Sequence, residues 1–436
     1  MTISRQRTHV SIVLTMVVTI AADAHGQDRL SGNWQGYWTV AGDTMPVTME
    51  VQYQAQTGRY TATFTADRLR VGGIPFNEVR VEGCCAVTMI LRGDRTTSTF
   101  TGRVANDSLT GVLVEGANEG RFAYARAPRQ AATYEERDLT FSSGDVTLAG
   151  TLLMPRTGAS VPAVVFLHGS GAEGRWASRY LATVLVKAGI AALIFDKRGV
   201  GGSSGDWRLA MPNDLAADGA AAVARLQQEP RIDKQRIGIH GHSQGGTLAP
   251  LVAAKASNVA FIIGSAAAGV PTDSTEIFSI LNSILRSAQT ASDSASARAY
   301  TSEVVAVAYQ GKPRTELDVL VTMLRDRPWF FAPPPNNAPY WAFSKAFGEY
   351  KPLEWWARVK APVLLVYGAS DERVPAAESA ERIAATLRKA GNSDVTVSIF
   401  PRADHTFRLP PGPSGWPVTA PDYVSTLVSW LSRFRR

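Results

Sequence analysis

Residues 236–252 read Arg236-Ile237-Gly238-Ile239-His240-Gly241-His242-Ser243-Gln244-Gly245-Gly246-Thr247-Leu248-Ala249-Pro250-Leu251-Val252. An apolar stretch meets a Gly-His-Ser-Gln-Gly pentapeptide and passes directly into a run of small and apolar residues. The pattern predicts a strand, a very tight turn and a helix, with Ser243 at the apex. Gly241 and Gly245 permit a closure that a β-carbon would obstruct. A G-x-S-x-G turn of this type lifts the serine hydroxyl above a sheet, at a helix N-terminus whose N–H groups can meet an oxyanion. Such a pentapeptide arises readily by chance, so its meaning depends on the partners such a serine needs.

A serine hydroxyl becomes a good nucleophile only when a base takes its proton, most often a histidine. The chain carries six: His9, His25, His168, His240, His242 and His405. His9 and His25 lie in or beside an N-terminal apolar segment. His240 and His242 flank the serine and support its turn, and His168 belongs to a separate glycine-rich turn. That leaves His405, in the loop Phe400-Pro401-Arg402-Ala403-Asp404-His405-Thr406-Phe407. An acid must orient that imidazole. The apolar run Ala361-Pro362-Val363-Leu364-Leu365-Val366-Tyr367-Gly368 predicts a buried parallel strand. Asp371 follows at its carboxyl end, the edge where open α/β sheets place ligands. A helix N-cap is the plain alternative role for Asp371. Glu372 is its nearest competitor, and Asp404 is too close to His405 in sequence to reach round its ring. The order Ser243, Asp371, His405 selects Asp371.

A second buried-strand run, Val161-Pro162-Ala163-Val164-Val165-Phe166-Leu167, closes in His168-Gly169-Ser170-Gly171. One oxyanion donor would be the backbone N–H of Gln244, directly after the nucleophile. The other would come from this loop, at Ser170 or the adjacent Gly171.

These motifs, with Asp196-Lys197-Arg198-Gly199-Val200-Gly201-Gly202-Ser203, make residues 134–436 resemble an α/β-hydrolase. More narrowly, the segment is similar to secreted bacterial serine esterases and to the dienelactone-hydrolase-like and prolyl-peptidase-like branches. Serine at the elbow departs from dienelactone hydrolases proper, which use cysteine, and from dehalogenases and epoxide hydrolases, which need aspartate. The resemblance implies a mostly parallel, doubly wound sheet with a helical cap. It also implies acyl transfer from a small or medium ester to water, without metal or organic cofactor. A prolyl-type peptidase would use the same triad, but residues 30–127 are too few for a propeller of several blades. A hydrolase-fold binding module with a disused site is the third reading, opposed by the presence of all three residues.

The first 24 residues combine a basic start, an apolar run and an Ala22-Asp23-Ala24 site, which predicts a secretory signal peptide and a periplasmic or extracellular location. With no cysteine beside that site and no membrane-length apolar run, a stable membrane anchor is not expected. The net charge of +7 is scattered, without basic runs or metal-finger spacing, so nucleic acid is not an expected partner. Oligomeric state is not legible. The only cysteines, Cys84 and Cys85, are adjacent and read as two small strand residues, a vicinal disulfide being the alternative.

Residues 30–127 alternate polar and apolar positions in short bursts, which predicts a small all-β barrel or sandwich. Its aromatics Trp34, Tyr37, Trp38, Tyr60 and Phe64 are read as core. A connector at 128–137 leads to a hairpin and then to alternating strands and helices at 138–436. Asp196 and Arg198 are read as loop-organising ions, in a salt bridge, rather than proton-transfer groups. An insertion at about 270–360 exceeds what a crossover needs and is read as a cap over the serine. Its aromatics, Trp329, Phe330, Phe331, Trp341, Phe343, Trp355 and Trp356, either line a substrate pocket or pack cap onto body; the sequence weighs these equally.

Overall fold

The computed structural model describes residues 28–92, 96–128, 133–288, 290–412 and 414–435. The segment read as a signal peptide lies outside them. Two sheets organise the chain. The first is an antiparallel meander of β1 (Gly32–Val40), β2 (Asp43–Gln54), β3 (Arg59–Ala66), β4 (Val71–Pro75), β5 (Glu78–Glu82), β6 (Ala86–Arg92), β7 (Thr97–Ala105), β8 (Ser108–Glu115) and β9 (Asn118–Ala127). Its order is β4-β3-β2-β1-β9-β8-β7-β6-β5, so pairing of β1 with β9 curls the sheet into a half-barrel left open between β4 and β5. Alternation dictates its interior: in β2, Met45, Val47, Met49 and Val51 are buried and the intervening residues are exposed. Trp34, Trp38 and Phe64 join that core, as their pattern predicts, whereas Tyr37 points outward and is 47% exposed.

The second sheet contains β10 (Tyr134–Ser143), β11 (Val146–Pro155), β12 (Val161–Leu167), β13 (Ala191–Phe195), β14 (Ile232–His242), β15 (Ile262–Ser265), β16 (Val363–Gly368) and β17 (Val395–Phe400). Its order is β10-β11-β13-β12-β14-β15-β16-β17, parallel from β13 to β17 behind an antiparallel leading pair. β10 starts inside the stretch read as connector, because its first residues already pair with the end of β11. The central strands are buried on both faces. Val165 and Leu365 face one layer, built by α2 (Pro212–Gln227), α3 (Gln244–Lys255) and α9 (Ala376–Lys389). Val164, Phe166, Leu364 and Val366 face the other, built by α1 (Trp176–Lys187) and α10 (Tyr423–Leu431). Removing one of these fully buried aliphatic side chains costs about 2–5 kcal/mol.

Between β15 and β16 lie α4 (Thr272–Ile284), α5 (Ala291–Gln310), α6 (Thr315–Leu324), α7 (Tyr340–Glu349) and α8 (Pro352–Trp356). This cap has its own core around Tyr300, Leu317 and Trp329, against which Phe330, Phe331 and Trp341 pack. Phe343, Phe347, Trp355 and Trp356 pack instead on the core of the α/β body. Every one of the seven aromatics weighed as pocket or packing thus sits in a core cluster or against one.

Candidate active site

The elbow follows from close approach. Ser243 sits between β14 and α3 with φ 54°, a conformation that costs a non-glycine residue energy and must be held by its surroundings. Its N–H donates to Ser265 O at 2.8 Å, and its carbonyl accepts Thr247 N at 2.9 Å and Thr247 Oγ1 at 3.0 Å. A β-carbon on Gly241 would lie 2.3 Å from Gly245 O, and one on Gly245 would lie 2.6 Å from His168 O. Those contacts press the elbow against the loop that follows β12.

His405 is carried by the loop after β17. Its Nδ1 lies 2.8 Å from Asp371 Oδ2, and its ring centroid is 5.0 Å from that of His242, the residue before Ser243. Asp371 ends the turn after β16; its other oxygen accepts the N–H groups of Arg373 (2.8 Å) and Val374 (2.9 Å), so the carboxylate is fixed on both sides. Glu372 turns away to pair with Arg286 of the segment after α4. Asp404 serves its own loop, accepting from Thr406 N, Thr406 Oγ1 and Arg408 N at 2.8, 3.0 and 2.8 Å. The hydrogen bonds among the described residues include none between Ser243 Oγ and His405, a contact that commonly tightens only when substrate binds.

Gln244 opens α3, where N–H groups have no intrahelical acceptor. Among the described residues the backbone N–H groups of Ser170 and Gly171 also make no hydrogen bond. The N–H of Gly169 donates to Glu173 Oε2 at 2.7 Å. Lys197, which the sequence reading passed over, ties these parts together. Its buried ammonium donates to Gly169 O (2.6 Å), Gly171 O (3.0 Å) and Gln244 Oε1 (3.0 Å). One cation therefore links the loop after β12 to the residue after the serine. Burial pulls its pKa down to about 8, against the opposing pull of the Glu173 and Asp218 carboxylates. The signal for it was local: a lysine two residues after the apolar run 190–195, between the oppositely charged Asp196 and Arg198 at the start of a glycine-rich turn.

Those two neighbours do not pair with each other as expected. Asp196 binds the Arg175 guanidinium and accepts the N–H of Gly202, while Arg198 pairs bidentately with Asp218 of α2 at 2.8 and 2.7 Å. Burial pushes the Asp196 carboxyl up, but the Arg175 and Gly202 donors outweigh it and hold it below the usual value. Each ion faces a different side of the loop, so a mutual bridge would leave two buried partners unpaired.

Burial holds the His168 and His240 imidazoles down to about 4 and His242 well below its ordinary value, so all three are neutral at pH 7. His168 Nε2 meets Phe195 O at 2.5 Å and His240 Nε2 meets Ser265 Oγ at 3.0 Å. Both are scaffold, as is the cap contact from Tyr350 OH to Thr247 O at 3.0 Å. Cys84 and Cys85 lie in the β-domain, in the turn between β5 and β6, and form a vicinal disulfide. They are not strand residues, because the chain reverses there and frees both side chains from the alternation of a ladder.

A serine elbow on a doubly wound parallel sheet, with an acid-paired histidine on the last loops, defines an α/β-hydrolase. A family model described as Hydrolase_4, serine aminopeptidase S33, matches residues 158–409, more than half of the chain. The chain belongs to that family and is a hydrolase, with an added N-terminal β-domain. Over 127 residues it is 33% identical to the quorum-quenching protein AidA of Acinetobacter baumannii, covering 29% of this chain and 42% of that protein. Over 118 residues it is 36% identical to the thiohydrolase aneE of Aspergillus aculeatus, covering 27% and 36%. It thus spans less than half the length of these curated relatives. Among solved structures, an esterase of Pyrococcus furiosus shares 19% identity at a TM-score of 0.44, over 70% of this chain and 92% of that one.

Proposed function

We propose that this hydrolase is an exported serine esterase that cleaves small to medium carboxylic esters through an acyl-enzyme on Ser243. The observation that carries the reading is the His405–Asp371 pair at 2.8 Å beside a serine held at positive φ. In this mechanism His405 takes the Ser243 proton as Oγ attacks the ester carbonyl. Asp371 keeps the other ring nitrogen protonated and offsets the imidazolium charge. The N–H groups of Gln244 and of Ser170 or Gly171 receive the oxyanion, and removing one such donor raises the barrier by about 3 kcal/mol. His405 then protonates the leaving alcohol and activates water to release the acid.

The single nine-stranded N-terminal sheet speaks against a propeller-gated prolyl-type peptidase. The aminopeptidase description of the matching family keeps peptides as the second substrate class to test. Export is supported by the composition of the first 24 residues and by a disulfide between Cys84 and Cys85, which belongs in an oxidising compartment. The test is hydrolysis of p-nitrophenyl esters of increasing acyl length by the protein and by Ser243→Ala, with fluorophosphonate labelling of both. Turnover and labelling that vanish together in the variant establish the serine esterase. Labelling without ester turnover would transfer the proposal to peptides, and neither would overturn it.

A further inference from the structure

The groups gathered around Ser243 all belong to the hydrolase domain, yet the β-domain grips the loop that carries His405. Immediately after His405, the Thr406 carbonyl accepts from the guanidinium of Arg70, a residue of the turn between β3 and β4. The same guanidinium lies over the rings of Tyr423 (4.9 Å) and Phe407 (6.0 Å). Phe407 stacks on Tyr423 at 4.0 Å and approaches the His242 ring at 6.2 Å. Arg70 thus touches the base loop on its backbone and beneath its aromatic floor.

Beyond Phe407 the chain forms a hairpin of β18 (Arg408–Leu409) and β19 (Val418–Thr419) and returns, with Ala420 N donating to Phe407 O at 2.8 Å. Two paired residues per strand are too few to hold a hairpin by themselves. Its tip is instead seated in the β-domain. Trp416 is 6% exposed, joins the half-barrel core beside Trp38 at 6.5 Å and donates from Nε1 to Glu115 at 3.2 Å. Ser414 Oγ donates to Asp43 at 2.5 Å, and Thr419 Oγ1 to Arg68 O at 3.2 Å. Trp416 of the hydrolase domain thus completes part of the half-barrel core.

We propose that the β-domain is a brace for the catalytic base, with Arg70 and Trp416 as positioning residues that hold His405 in register with Ser243 and Asp371. The proposal rests on the serine-esterase reading for its activity readout only. The physical reason is entropic: a loop with one short ladder keeps many conformations unless both of its ends are docked. A displacement of about 1 Å at the reacting groups costs about 100-fold in rate.

The test uses the full chain and the variants Arg70→Met, Arg70→Lys, Ser414→Ala, Trp416→Ala and Trp416→Phe, each checked for folding by thermal melting. Two readouts are taken: kcat and KM on p-nitrophenyl butyrate, and the low-field proton resonance of His405 Nδ1–H, identified by its loss in His405→Ala. Arg70→Met and Trp416→Ala should lower kcat by about 10- to 100-fold with KM within about threefold, and broaden or abolish the resonance. Arg70→Lys and Trp416→Phe should recover most of both. Folded variants with wild-type kcat and an unchanged resonance would overturn the brace. Should the wild type show no ester turnover, the esterase reading fails and the resonance alone decides: retained in Arg70→Met it overturns the brace, lost it supports it. If Trp416→Ala does not fold, Arg70→Met and Ser414→Ala carry the same decision.

Discussion

His405 Nδ1 lies 2.8 Å from Asp371 Oδ2, although Asp404 is its neighbour in the chain. The two aspartates therefore do different work. Asp371→Asn should remove the charge that sets the imidazole tautomer and lower kcat by about 10,000-fold, with KM nearly unchanged. Asp404→Asn keeps an acceptor oxygen for Thr406 and Arg408, so its kcat should stay within about tenfold of wild type. Parallel steady-state kinetics on the two variants checks the assignment; equal losses would contradict it.

Lys197→Met should leave the carbonyls of Gly169 and Gly171 without their shared donor and lower kcat by about 10- to 100-fold. The pH dependence has a definite sign. The folded-state pKa of about 8 lies below the ordinary 10.5, so between those values the unfolded chain binds more protons than the folded one. This group's contribution to stability therefore rises from pH 8 to 10.5, while activity falls as a neutral amine replaces a three-contact ammonium. Rate–pH profiles and urea melts of the wild type and Lys197→Met measure both; an identical alkaline limb in the variant would exclude the lysine as its source.

Acid should loosen the seat of the β18–β19 hairpin before it unfolds the cores. Hydrogen bonds from Arg68, and then from Ser414, hold the Asp43 carboxyl down to about 2, below its ordinary 3.8. Its stabilising contribution is complete above pH 3.8 and is lost as the pH falls through 2. The melting temperature of Asp43→Asn should accordingly vary less with pH than that of the wild type between pH 4 and 2. Parallel melting curves of the two proteins would disprove this role.

The double variant Cys84→Ser, Cys85→Ser should keep wild-type turnover and lie within about 0.5 kcal/mol in stability, since Cys84 is exposed in a turn and the bridge encloses no intervening residue. Without reductant, the unfolded wild type should take up no iodoacetamide, as read by intact mass. Uptake of two labels would show free thiols.

The elbow was legible because its signal is local. Gly241, Ser243 and Gly245 lie within five residues, and the strand and helix that flank them are written in adjacent periodicities. The buried runs at 161–167 and 363–368 were readable for the same reason, since strands covered on both faces are apolar throughout. The partners of Asp196 and Arg198 were not readable. Both ions sit in one loop, and only the packing of α1 and α2 brought Arg175 and Asp218 to opposite sides of it. The cap aromatics were ambiguous for a related reason: a buried ring has the same composition whether it faces a cavity or a neighbour.

The sequence by itself determined the α/β class and the preceding β-domain, because short-range sterics and hydrophobic period act within a few positions, and it nominated Ser243, Asp371 and His405 by residue type and order. Tertiary structure alone decided what holds those residues. Lys197 meets Gln244 across 47 positions, Glu115 meets Trp416 across 301, and Arg70 meets Thr406 across 336. Contacts at such separations leave no periodic trace in the chain, since they arise only when elements distant in sequence pack together.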